Sequence, residues 1–123
     1  DGLKVAILGL TFKAGTDDLR EAPSINNVEL LLKNGANIYA YDPVGMENFK
    51  RKYPTQITYV NNPEEALREA SVCFLFTEWD EIKTIKPQTY KKLMRTALVY
   101  DGRNMYELKD MKDNGVEYYS IGR

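Results

Sequence analysis

Two stretches of the chain are almost wholly apolar: KVAIL at Lys4 to Leu8, closed by Gly9, and SVCFLFT at Ser71 to Thr77. Unbroken apolar runs of this length predict strands buried on both faces, which is the habit of parallel sheets. Shorter strand-like runs follow the same style at Asn37 to Tyr41 (NIYAY), Ile57 to Val60, Ala97 to Tyr100 and Val116 to Ile121. Asp42-Pro43 ends the first of these, because proline restricts the residue before it and lacks an N–H. Between them the period changes. Ile25, Val28, Leu31 and Leu32 stand at helical spacing within Ser24 to Asn34, with Pro23 before and Gly35 after, the usual asymmetry of helix ends. A short helix is expected over Met46 to Lys52, and Pro63 to Glu69 predicts another, capped by Asn62 and acidic in its first turn. Pro87 to Met94 and Tyr106 to Asn114, the latter closed by Gly115, complete the set.

Strands alternating with helices need right-handed crossovers, which put helices on both faces of the sheet. The expected fold class is therefore α/β: a three-layer αβα Rossmann-like sandwich with a mostly parallel sheet of five to six strands, built as one domain over residues 1–123. In such sheets a ligand sits beyond the carboxyl ends of the strands, where strand order reverses. Those ends carry Gly9 to Lys13, Asp42-Pro43, Thr77 to Asp80 and Asp101 to Asn104.

Length and composition narrow this little. A chain of 123 residues can bury about two thirds of its unfolded surface in one core. It lacks an initiator Met and its first apolar run begins almost at once, which reads as a piece of a longer protein. Seventeen basic and eighteen acidic residues nearly cancel, so no global field draws nucleic acid or an anionic membrane, and an anion site must be local. A single Cys excludes an internal disulfide and suits a reducing cytoplasm. No apolar run approaches the eighteen or so residues that span a bilayer. With no His, the usual general base and the commonest metal ligand are both missing.

The candidate chemistry clusters in the first loop, LTFKAGTDDLREAP at Leu10 to Pro23. A dinucleotide fingerprint would need glycines at positions 11 and 14, where the chain has Thr11 and Ala14; a self-contained NAD site is not expected. Lys13 offers a point charge for phosphate or sugar hydroxyls, or is simply a solvated surface residue. Asp17, Asp18, Arg20 and Glu21 read as an ion-pair cluster that fixes the loop rather than as a metal or acid–base centre. Cys73, inside an apolar strand with no basic neighbour in sequence, reads as a small buried hydrophobe and not a nucleophile. Trp79 either packs against a helix or makes an interdomain contact. Arg103 follows a glycine at a strand's carboxyl end, where its planar fork either clamps a diphosphate or pairs with Asp101.

Taken together, GLTFKAGTDDLREAPS at Gly9 to Ser24, YDP at Tyr41 to Pro43, TEW at Thr77 to Trp79 and DGRN at Asp101 to Asn104 closely resemble the C-terminal domain of the UDP-glucose/GDP-mannose dehydrogenase family. The resemblance implies a domain that holds the nucleotide end of a sugar nucleotide. An N-terminal Rossmann domain would bind NAD, and a central segment would supply a catalytic Cys and Lys. The activity it implies is NAD-dependent oxidation of the sugar C6 alcohol to a carboxylate, through a thioester on that Cys. Carried over by residue, Phe12 and Lys13 match the family's substrate-contacting FK pair. Arg103 matches the DGR arginine that binds substrate, from a neighbouring subunit of a homodimer. Arg20 matches the arginine of TDDxRE that reaches toward NAD. The nucleophilic Cys motif lies outside this chain, and Cys73 does not match it, so no catalytic residue is expected here. TEW, YDP and DGRN look like the UDP-glucose branch, whereas AGTDDLRE is also seen in GDP-mannose enzymes; UDP-N-acetylhexosamine dehydrogenases and a non-catalytic nucleotide-binding module stay open as alternatives.

Overall fold

The first apolar run forms β1 (Lys4–Leu8), and its position explains its composition: it is a central strand, paired in parallel with β2 (Asn37–Tyr41) on one side and β4 (Val72–Leu75) on the other. Val5 to Leu8 are all buried. The computed structural model describes residues 2–10, 23–43, 46–77 and 79–120. Beyond β2 lies β3 (Ile57–Tyr59), and beyond β4 lie β5 (Leu98–Asp101) and β6 (Glu117–Ser120), giving the order β3-β2-β1-β4-β5-β6. All five pairings are parallel. This is the expected α/β Rossmann-like architecture, and strand order reverses between β1 and β4.

That reversal decides where the helices go. From β1 the chain steps outward through α1 (Pro23–Lys33) to β2 and through α2 (Met46–Lys52) to β3. It then returns through α3 (Pro63–Leu67) to β4 and steps outward the opposite way, through α4 (Asp80–Lys83) and α5 (Pro87–Leu93) to β5 and through α6 (Leu108–Asp113) to β6. Right-handed crossovers travelling in opposite directions put their helices on opposite faces. Accordingly Val28 of α1 and Phe49 of α2 pack with Val5, Ile7, Ile38, Ala40 and Ile57 on one face. On the other face Ala66 and Leu67 of α3, Ile82 of α4, Tyr90 of α5 and Met111 of α6 pack with Ala6, Leu8, Cys73, Leu75 and Val99.

Local sequence accounts for the helix ends. Asn62 caps α3 by accepting from the Glu65 backbone N–H at 2.9 Å while its own amide donates to the Glu65 carboxylate at 3.0 Å, and Pro63 occupies the first turn. Gly115, at φ 76°, closes α6: its N–H donates to Lys112 O, and Val116 N–H donates to Met111 O, both at 3.0 Å. A side chain at that left-handed position would be strained, and the pairing lets buried Val116 fold back on buried Met111. Several elements differ from expectation by one or two residues at their ends, α6 beginning at Leu108 and β4 ending at Leu75 among them, and two departures have a physical reason. Helix α3 ends at Leu67, two residues before Glu69, because Glu69 turns left-handed (φ 59°) and donates its N–H to Leu93 O at the end of α5. Helix α4 is a single turn with one buried residue, Ile82, too short to leave a period in the sequence.

Candidate functional site

The strand register brings the carboxyl ends to one level. Leu8 is opposite both Tyr41 and Leu75, Leu75 is opposite Asp101, and Asp101 is opposite Ser120. Gly9, Asp42, Thr77 and Gly102-Arg103 therefore leave the sheet along one edge, astride the reversal between β1 and β4. Gly9 is needed there. Its φ is 93°, its N–H donates to Tyr41 O at 2.8 Å, and a Cβ on it would lie 2.6 Å from the Thr77 backbone nitrogen. Any side chain would push β1 and β4 apart at the switch point. The room that Gly9 opens is thus filled by Thr77.

Asp42 ties three of the sequence motifs together. Its side chain is buried, and Oδ2 accepts from the Leu10 backbone N–H at 2.7 Å and from the Trp79 indole N–H at 3.0 Å. One carboxylate oxygen therefore anchors the root of the first loop to the loop after β4. Trp79 is half-buried against the core that includes Tyr41 and Ile82, so the packing reading of this residue holds within the chain. In the sequence Asp42 stands out as a strand terminator and as the centre of the YDP motif, with no bonding role attached to it. Its partners lie 32 and 37 residues away, and no local signal points to them.

Asp101 builds the DGRN turn. Its carboxylate, also buried, accepts from the backbone N–H groups of Arg103 (2.7 Å) and Met105 (2.6 Å) and from the Tyr118 hydroxyl (2.6 Å). Gly102 N–H donates to Leu75 O at 2.9 Å, and Asn104 takes the left-handed conformation (φ 56°) that Asn tolerates best among non-glycines. These bonds set Arg103 at the carboxyl edge with its side chain exposed. Below the turn, the Tyr106 hydroxyl lies 2.8 Å from Ile85 O, 3.0 Å from Ile82 O and 2.8 Å from the Tyr90 hydroxyl. Carbonyls only accept, so Tyr106 donates to them and Tyr90 donates to Tyr106. Burial raises the pKa of both phenols, which keeps this network protonated.

Burial pushes the Cys73 thiol up as well, with the nearby Asp101 charge adding to it. Cys73 is fully buried between the sheet and its helices and behaves as a small hydrophobe. Of the residues the sequence marks for ligand contact, Arg103 is placed as described; Phe12, Lys13 and Arg20 lie outside the described residues, as do Asp17, Asp18 and Glu21. Among the described residues no helix is long and apolar enough to cross a membrane. Tyr118 contributes to the site without any sequence signal beyond strand pattern, whereas Thr77 stands out only as the start of the TEW motif at a strand end.

This arrangement has close parallels. Residues 6–108 match the UDP binding domain of the UDP-glucose/GDP-mannose dehydrogenase family. The chain is 43% identical over 122 residues to UDP-glucose 6-dehydrogenase YwqF of Bacillus subtilis, an alignment that covers 99% of this chain and 28% of that protein. Among solved structures, NDP-N-acetyl-D-galactosaminuronic acid dehydrogenase of Methanosarcina mazei superposes with a TM-score of 0.83 at 31% identity, covering 100% of this chain and 25% of the other. UDP-glucose dehydrogenase of Pyrobaculum islandicum gives 0.77 at 30% identity, covering 96% and 25%. The chain thus spans about a quarter of the length of the proteins it matches. It belongs to the UDP-glucose/GDP-mannose dehydrogenase family, as that family's UDP binding domain.

Proposed function

We propose that this chain is the UDP-sugar-binding domain of an NAD-dependent UDP-glucose 6-dehydrogenase, and that UDP-glucose is held at the carboxyl edge described above. The observation that carries the reading is the DGRN turn: a buried Asp101 spends its carboxylate on the turn's own backbone and so presents the Arg103 side chain at the sheet's switch-point edge. A sugar diphosphate carries about two negative charges, which suits a forked guanidinium from Arg103 and a point charge from Lys13 on an otherwise near-neutral domain. In this reading Phe12 lies against the substrate beside Lys13. Binding energy collected on the nucleotide then orients the sugar's C6 in a reaction centre elsewhere in the protein.

NAD does not fit this chain's own first turn. Gly9 is the one glycine of the fingerprint present, and the space beside it is taken by Thr77. The proposal therefore assigns NAD to a part of the protein outside these residues, with Arg20 reaching toward it. In keeping with the resemblance, the whole protein would be a cytoplasmic homodimer in which Arg103 serves the neighbouring subunit's substrate. The likeness to NDP-N-acetyl-D-galactosaminuronic acid dehydrogenase supports a second reading, in which the sugar is an N-acetylhexosamine. Titration of the complete protein with UDP, GDP, UDP-glucose and a UDP-N-acetylhexosamine separates them. Saturable binding of UDP and UDP-glucose with weak GDP binding is expected. Preference for GDP, or for the acetylated sugar, would replace the substrate, and no nucleotide binding would remove the function.

A further inference from the structure

On the face that carries α1 and α2, no described helix lies over β4, β5 and β6. Instead Phe74, Tyr100 and Tyr119 stand side by side in strand register, one from each strand. Their rings stack at centroid separations of 5.4 and 5.2 Å, and Phe76 extends the row at 5.8 Å from Phe74. Tyr100 is 40% exposed and Tyr119 48% exposed, and with Phe74, Phe76 and Ser120 they line a concavity of about 260 Å³ that reaches the Asp101-Gly102 turn at its carboxyl end. Parallel sheets are covered on both faces in nearly all proteins that contain them, and contiguous exposed aromatic surface marks an interaction site.

Crossover handedness accounts for the gap. The crossovers that leave β1 toward β3 cover this face only on their own side of the switch point, and those that run from β4 to β6 are committed to the opposite face. None of the described helices in these crossovers supplies the missing layer. The strip from β4 to β6 is two inter-strand spacings wide, about 10 Å, which is the width of one α-helix. The chain covers only 28% of the length of its B. subtilis relative, so the complete polypeptide has ample further sequence to provide a helix.

We infer that the Phe74–Tyr100–Tyr119 face is the docking surface for an α-helix from the part of the same polypeptide that lies outside these 123 residues. The helix runs along the strand direction across the aromatic row, with an apolar stripe toward the rings. It completes the third layer of the sandwich and joins the nucleotide-binding domain rigidly to the remainder of the protein. The inference rests on the reading of this chain as one domain of a longer dehydrogenase, though not on the identity of the nucleotide.

The test places the photo-crosslinking residue p-benzoylphenylalanine at position 119 of the complete protein, prepared as an equal mixture of light and nitrogen-15-labelled copies. The expected product is a crosslink from position 119 to a helical segment outside the 123 residues, with both joined peptides carrying the same isotope. Hydroxyl-radical footprinting of the unmodified protein should show Tyr100 and Tyr119 oxidised at least five-fold more slowly than their exposure in this chain alone would give. Crosslinks of mixed isotope would assign the face to a second copy and overturn the inference. Crosslinks to another protein, or unprotected tyrosines with no crosslink, would also overturn it. A complete protein that binds UDP-glucose but leaves the tyrosines unprotected keeps the proposed function and loses this inference; protected tyrosines without nucleotide binding give the reverse.

Discussion

Asp42 and Asp101 are two buried aspartates at the carboxyl ends of strands on either side of the switch point, and they use their carboxylates in opposite ways. Asp42 reaches across sequence, joining Leu10 and Trp79, and so fixes one loop relative to another. Asp101 works mainly on its own turn, holding the backbone of Arg103 and Met105, with Tyr118 as its one distant partner. The first sets the spacing of the site's walls; the second shapes the segment that carries the binding side chain. Loss of Asp42 should therefore loosen the edge as a whole, whereas loss of Asp101 should misplace Arg103 specifically.

The largest expected effect follows from removing Asp101. Asp101→Ala strands three donors, two of them backbone N–H groups, and should cost about 3–5 kcal/mol in urea unfolding of the chain. Asp42→Ala strands, among the described residues, the Leu10 N–H and the Trp79 indole, and should cost about 2–4 kcal/mol by the same measurement. A loss below about 1 kcal/mol for either variant would break this account of the two carboxylates. Tyr118→Phe removes a single donor from Asp101 while the backbone bonds stay, so about 1 kcal/mol is expected. In the complete protein this variant should raise the KM for UDP-glucose a few-fold with little change in kcat, because the turn, not the reaction centre, is disturbed. Trp79→Phe keeps the ring packing and withdraws one bond from the buried Asp42. It should cost about 1–2 kcal/mol in stability and leave the KM effect smaller than that of Tyr118→Phe.

Much of the fold was legible because its signals are local. The apolar runs, Pro23, the Asn62 cap and the glycines at 35 and 115 each constrain a few neighbouring residues, and β1, β2 and α2 carry the limits their patterns predict. What was not legible depends on distance or brevity. A one-turn helix such as α4 has no period to detect. The bond from Tyr118 to Asp101 spans 17 residues, and the one from Trp79 to Asp42 spans 37. The motifs YDP, TEW and DGRN were visible as strand ends, yet only the parallel register reveals that two of them share a hydrogen bond. The partial cover that the described helices give one face likewise follows from strand order, which the alternation of elements leaves open: helices on both faces were expected, and the reversal between β1 and β4 confines the described helices of one layer to part of the sheet.

The central claim, that the Asp101 turn presents Arg103 to a nucleotide diphosphate, is tested most directly by calorimetric titration of UDP into the complete protein and its Arg103→Ala variant. Removal of one charge-assisted contact should weaken UDP binding roughly 10- to 150-fold, equivalent to about 1.5–3 kcal/mol, with the fold unchanged by circular dichroism. Equal affinity for UDP in the two proteins would contradict it.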